Sequence, residues 1–247
     1  MIGFGIIAVI GAGMALTNTP ITAIIIGFII LIAGLVMLRS DREQWKAISN
    51  FCILMGTVMT GIGILKELDN SLLSMLTVTA IFSMTCIFAR STLLAVLATL
   101  MLAAFIATVN NRFYSAGHLL VIHEHTITII LFSILATGLY QLSKKLTAEY
   151  ERIAIASART SVFLVNLGFW LGSLFGERSD TKEVIVSQDV FSVLWALALL
   201  ATALWSWKRD HRWVLITVAI FGGIHFCTQW FFHPEVILVA GLLTSGL

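Results

Sequence analysis

The side chains most able to do chemistry are histidines and carboxylates gathered near one end of two apolar segments. They are His118, His123, Glu124, His125, His225, His233 and Glu235. Imidazole and carboxylate groups bind transition metals, and imidazole also exchanges protons near neutral pH. The cluster therefore allows three hypotheses: a metal site, a proton or quinone site, or polar side chains that are hydrated at an interface.

The spacing of the histidines limits how they can act together. His118 and His125 are seven residues apart and share one helical face. His123 and His125 are two residues apart and point about 200° from each other, so one helix cannot bring both to the same ion. A shared site needs a second segment, which His225 can supply. The chain has neither an HExxH motif nor paired histidines for a haem bundle, so the residues select no particular cofactor.

The segments that must position these residues are apolar and long. Hydrophobic residues make up 59% of the chain and charged residues only 11%, whereas soluble domains carry about 25% charged residues. Runs of about 20 apolar residues are typical of transmembrane helices. We predict ten segments, at 2–16, 20–38, 47–65, 71–88, 92–109, 119–142, 153–175, 190–207, 213–231 and 236–247.

This pattern predicts an all-α, polytopic membrane bundle in a single domain over residues 1–247. The last segment has only twelve residues and would cover about 18 Å of a hydrocarbon core that is about 30 Å thick. It is a half-span or a truncated end, and the expected count is nine to ten transmembrane helices. Between the first two segments, Thr19 suits an N-cap and Pro20 the first helical position.

Basic residues fix the expected orientation. One set of alternating loops holds eleven Lys and Arg residues and the other holds four. The larger set is Arg39, Arg42, Lys46, Arg90, Lys144, Lys145, Arg152, Arg159, Lys208, Arg209 and Arg212. Cytoplasmic loops carry the excess of positive charge, so both termini are expected in the cytoplasm. Five of the six histidines then lie towards the outer side, and His211 is the exception.

Two loops are predicted to be more than turns. Residues 143–161 are amphiphilic and are expected to be helical, either lying at the surface or extending the seventh segment into the cytoplasm. Residues 177–189 form the longest outer loop, in which Ser187 or Asp189 can cap the following helix.

Glycines indicate close helix packing. Gly168, Gly172 and Gly176 recur every four residues, which gives one bare face that a neighbouring helix can approach. The same role is expected for Gly56, Gly61, Gly63, Gly222 and Gly223. Asn50 and Asn166 are expected to hydrogen-bond between helices.

Three stretches resemble a class of bacterial inner-membrane proteins assigned only to a domain of unknown function. They are residues 39–46 (RSDREQWK) leading into 51–65, residues 159–168 (RTSVFLVNLG), and Arg212-Trp213 leading to His225. In that class a basic loop precedes each span. The resemblance implies a bacterial inner membrane and no established activity, and it transfers no catalytic residue to this chain.

The function expected from these features is non-enzymatic. There is no nucleophile elbow. No Asp, Glu, Lys or Arg lies squarely at the middle of a span, which argues against ion-coupled transport. We expect a transporter-like carrier or an accessory subunit of a membrane complex. The alternative is a membrane redox or metal- or quinone-binding protein that uses the outer histidines.

The expected partners are the lipid bilayer and another membrane protein or a second copy. The net charge of +2 argues against nucleic acid.

Overall fold

The computed structural model describes residues 19–39, 43–69, 71–113, 125–178, 184–210 and 212–232. The helices are α1 (Pro20–Leu38), α2 (Glu43–Glu67), α3 (Leu72–Ala89), α4 (Thr92–Phe113), α5 (His125–Ser143), α6 (Ala148–Phe175), α7 (Gln188–Arg209) and α8 (Arg212–Phe232), and the strands are β1 (Glu177–Arg178) and β2 (Val184–Val186). Eight of the ten predicted segments thus coincide with helices. The other two, at 2–16 and 236–247, lie outside the described residues.

Length and apolar composition make seven of these helices able to cross a membrane, and α4 adds an apolar stretch over Thr92–Ala107. Their ends follow local sequence signals. The Thr19 side chain caps α1 and Pro20 occupies the first turn, and the Ser187 side chain caps α7, so both predicted caps are confirmed. Such oxygens accept hydrogen bonds from N–H groups that have no partner within the helix.

The amphiphilic stretch after α5 joins the seventh predicted segment in one 28-residue helix, α6. Of the two alternatives for this stretch, the helical extension is therefore correct. Beyond α6, β1 and β2 pair antiparallel, with Glu177 opposite Val186. This short hairpin lies in the region predicted as an outer loop.

The contacts divide the chain into two compact units. Among the described residues, unit 1 contains α1 to α4 with residues 132–162. Its buried core includes Leu31, Ile53, Val78, Phe82 and Leu94.

The closest packing in unit 1 joins α1 to α2. Glycines recur seven residues apart on both helices, at Gly27 and Gly34 and at Gly56 and Gly63, and each lies against the facing helix. The Ser49 hydroxyl donates a hydrogen bond of 2.7 Å to the Gly34 carbonyl oxygen. Small residues let helix backbones approach, and this hydrogen bond between helices adds to the packing.

Unit 2 contains residues 125–131, 163–178, 184–210 and 212–232 of the described chain. Its core is formed by Trp195, Leu199 and Phe221, against which Phe169 and Trp170 pack. Aromatic side chains thus dominate the interior of this unit.

Candidate functional site

The predicted histidine–carboxylate cluster is only partly within the described residues. His118, His123, Glu124, His233 and Glu235 lie outside them. His125 and His225 are described, and both belong to unit 2. The described part of the cluster therefore consists of these two histidines and their neighbours.

His125 is the first residue of α5, and its side chain is buried. Its ring meets Phe191 of α7 edge-on, with 6.0 Å between the ring centroids and an interplanar angle of 87°. The next residue, Thr126, donates a hydrogen bond to the carboxylate of Glu177. Glu177 is also buried, so this bond satisfies part of a carboxylate that water cannot freely reach.

His225 of α8 lies against Trp195 of α7, with 4.8 Å between the ring centroids and an interplanar angle of 72°. Trp195 is fully buried, and its indole N–H donates a hydrogen bond of 3.0 Å to the side-chain oxygen of Asn166 on α6. The hydrogen bond between helices that was predicted for Asn166 is thus confirmed. The indole links three helices, because it contacts α6 through its N–H and α8 through its ring.

A second hydrogen bond joins α6 to α8 nearby. The indole N–H of Trp170 donates to the Thr228 hydroxyl oxygen at 3.0 Å, and Thr228 donates in turn to the Ile224 carbonyl oxygen at 2.8 Å. Thr228 lies three residues after His225, on the same side of α8. Indoles and hydroxyls therefore fix the helix that carries His225.

Two buried polar atoms on α8 have no hydrogen-bond partner among the described residues. They are Nδ1 of His225 and Nε2 of Gln229. The two residues are one turn apart and share a face. Because buried polar atoms are normally hydrogen-bonded, this pair is the part of the site best placed to meet a carbonyl or hydroxyl group of a ligand.

The described chain brings together no group of three or more His, Cys, Asp or Glu side chains that could hold a metal ion. His125 contacts Phe191, one turn of α7 away from the Trp195 that His225 contacts. The arrangement within these residues is therefore aromatic and hydrogen-bonding in character.

The glycines of α6 meet different partners. A methyl group added at Gly168 would lie 3.0 Å from the Ile129 side chain of α5, and one at Gly172 would lie 2.6 Å from the Phe191 ring of α7. Gly176 follows the last residue of α6 and has φ +64°, a conformation that glycine adopts without strain. At Gly222 and Gly223 of α8, no described atom lies within 4 Å of an added methyl group, so the packing role of these two glycines stays a prediction.

Trp170 and Trp195 are the central residues that the sequence analysis missed. A signal was present, because both lie inside an apolar segment and not at its ends, where tryptophan is usually enriched. A buried indole needs an acceptor for its N–H, and Asn166 is a polar residue within the preceding segment. The pairing of the two residues was not predictable, because the rotation of each helix is not visible in the sequence.

The helices and this interior define the class: a predominantly helical chain whose described residues include seven helices long and apolar enough to span a membrane. The family described as a domain of unknown function (DUF4401) matches residues 2–246, and the chain belongs to this family. The resemblance to a family of unknown function is thereby confirmed. No curated protein and no solved structure matches the chain.

Proposed function

We propose that this chain is a non-enzymatic, multi-pass protein of a bacterial inner membrane. It has nine or ten spans with the N-terminus in the cytoplasm, where the C-terminus also lies when there are ten spans, and acts as an accessory subunit of a membrane complex or as a transporter-like carrier. This proposal rests on the observation that polar side chains within the apolar helices form hydrogen bonds between helices. Between helices, Trp195 donates a hydrogen bond to Asn166 and Trp170 donates one to Thr228. Such bonds hold helices together in lipid.

The outward surface supports a location within lipid. Large apolar side chains stand exposed on several helices, as shown by Val36 at 66%, Phe88 at 69% and Ile134 at 65%. Exposing apolar surface to water costs free energy, whereas exposing it to lipid tails does not. The remaining apolar faces are also suitable for a membrane-protein partner or a second copy.

The proposed orientation is supported by the placement of three basic positions in unit 1. Arg39, Lys46 and Arg90 line one cavity together with Glu149. The loops that carry them therefore lie at the same end of the unit. These residues all belong to the loops with excess positive charge, which favours the cytoplasmic side.

Reporter fusions check this orientation. A fluorescent reporter that matures only in the cytoplasm is expected to be active after Lys145 and after Arg209. A phosphatase that is active only outside is expected to be active after Asp69. The opposite pattern would refute the orientation while leaving the number of helices unaffected.

The alternative function is a redox or quinone-binding protein, and one observation favours it. His225 Nδ1 and Gln229 Nε2 are buried without a hydrogen-bond partner among the described residues, beside the ring of Trp195. A quinone presents two carbonyl groups and a flat ring, which suit hydrogen-bonding side chains next to an aromatic residue.

Purification from membranes in a mild detergent separates these functions. The accessory-subunit proposal predicts a colourless, metal-free protein that retains a stoichiometric membrane partner, and the carrier proposal predicts the same protein alone. His225→Ala is expected to change neither the absorption spectrum nor the metal content. Elemental analysis, absorption spectroscopy and mass spectrometry of the bound components provide the readouts.

The redox alternative predicts a different outcome of the same experiment. A stoichiometric chromophore, metal or quinone that is present in the wild type and lost in His225→Ala would establish the redox alternative. Cys227→Ala, a change on the same helix at an exposed thiol, is the matched control and should retain whatever the wild type holds.

A further inference from the structure

Unit 1 contains two adjoining spaces of opposite character. The first, called here the basic cavity, has a volume of about 740 Å³ and is lined by Arg39, Lys46, Asn50, Arg90 and Glu149 among others. The second, called the apolar groove, has a volume of about 430 Å³ and is lined by residues of α3, α4, α5 and α6. Ile87 and Tyr150 line both spaces, so the two adjoin at these side chains.

The basic cavity carries a net positive charge. Three of its lining side chains are cationic and one, Glu149, is anionic. Glu149 forms an ion pair with Arg90, and the Arg90 guanidinium also lies 5.6 Å from the centroid of the Tyr150 ring. Among the described lining residues, cationic side chains thus outnumber anionic ones by three to one. Ser91 and Thr92, which precede and begin α4, also line the cavity, and the start of a helix adds a partial positive charge.

The apolar groove suits hydrocarbon and not a polar solute. Its walls include Leu102, Leu135, Leu139 and Ile153. The serine and threonine hydroxyl groups in its lining already donate to backbone carbonyl oxygens: Thr79 to Met75, Ser83 to Thr79, and Thr99 and Ser157 to Ala95. Because these donors are satisfied within the protein, the groove offers a ligand mainly apolar contact.

We propose that unit 1 binds one anionic phospholipid, with its phosphate-bearing headgroup in the basic cavity and an acyl chain in the apolar groove. Basic pockets between transmembrane helices attract anionic headgroups, and both volumes lie in the range of ligand sites, about 300–1,000 Å³. The site is separate from the His225 site of unit 2. It rests on the membrane location in the proposed function, but on neither the orientation nor the non-enzymatic role.

Native mass spectrometry of the purified chain tests this proposal with phosphatidylglycerol and phosphatidylcholine of identical acyl chains. The wild type should retain one phosphatidylglycerol with at least about fivefold preference, since one basic residue near a lipid surface contributes about fivefold. Arg39→Gln should weaken phosphatidylglycerol binding about fivefold, and Glu149→Gln should strengthen it by a similar factor. A misfolded variant cannot produce this increase.

Matched variants separate the headgroup from the acyl chain. Lys208→Gln removes one positive charge from a residue that does not line the basic cavity and should leave the preference unchanged. Leu139→Trp fills the groove and should reduce binding of both lipids more than about tenfold, as a steric block does. Ile134→Trp places the same side chain at an exposed position outside the groove and should have no effect.

Besides the absence of any lipid preference, two results would overturn the lipid site. One is a preference for phosphatidylglycerol that responds equally to Lys208→Gln and Arg39→Gln. The other is that millimolar glycerol phosphate displaces the bound lipid while Leu139→Trp leaves lipid binding unchanged, because a soluble anion would then be the ligand. Fractionation of each variant is measured beforehand. Absence of the wild type from membranes would refute the proposed function, whereas membrane-bound protein with no lipid preference refutes this site alone.

Discussion

Gly56→Ala is expected to destabilise unit 1 by about 3 kcal/mol, at the upper end of the range for overpacking a tight interface. The added methyl group would lie 2.6 Å from the Gly27 carbonyl oxygen and 2.7 Å from Leu31 Cα. Both atoms belong to the backbone of α1, which cannot rotate away as a side chain can. Helices α1 and α2 would have to separate, with loss of the Ser49–Gly34 hydrogen bond. Unfolding in mixed micelles, followed by circular dichroism, measures the change.

Gly138→Ala is the matched control for this substitution. It makes the same chemical change in α5, where no described atom lies within 4 Å of the new methyl group. Alanine is favoured over glycine inside a helix by up to about 1 kcal/mol, so stability should stay the same or rise slightly. A loss below about 1 kcal/mol in Gly56→Ala, on the scale of a typical surface change, would show that the contact between α1 and α2 is looser than the distances indicate.

The helices were largely predictable because hydrocarbon thickness and local caps determine them. The segment predicted at 20–38 coincides with α1, since Thr19 and Pro20 mark its start and Arg39 follows its last helical residue. The seventh segment was predicted from residue 153, and the amphiphilic stretch predicted as its helical extension supplies the first five residues of α6. Its first turns carry Glu149 and Glu151 and are too polar to be counted as membrane-spanning, although they continue the same helix.

Contacts between helices were much less predictable, because hydropathy reveals the ends of a helix but not its rotation or its neighbours. Gly56 and Gly63 were recognised as packing residues, yet their partners on α1 were not. Arg39, Lys46 and Arg90 were used only to orient the chain, and the structure places all three around one cavity. Of the predicted cluster, His125 and His225 contact different aromatic residues of α7. The spacing of the histidines along the sequence could not predict that the two rings have different neighbours.

The second large effect on stability is expected at Trp195, whose side chain belongs to the buried core of unit 2. Trp195→Ala should destabilise the protein by about 3–5 kcal/mol, the usual range for removing a buried tryptophan. The residue is 0% exposed. The substitution removes the hydrogen bond to Asn166 and the ring contacts with Phe221 and His225. The free energy of unfolding in mixed micelles is again the measurement.

Two further variants divide this effect into its causes. Trp195→Phe keeps an aromatic ring but removes the N–H donor, and should destabilise by about 1–2 kcal/mol, as hydrogen bonds between membrane helices do. Trp207→Ala changes the same residue type on the same helix where it is 79% exposed, and should stay within about 0.5 kcal/mol of the wild type. Equal losses at positions 195 and 207 would contradict the central role of Trp195. A loss in Trp195→Phe as large as in Trp195→Ala would assign the whole effect to the bond with Asn166, because packing would then contribute nothing measurable.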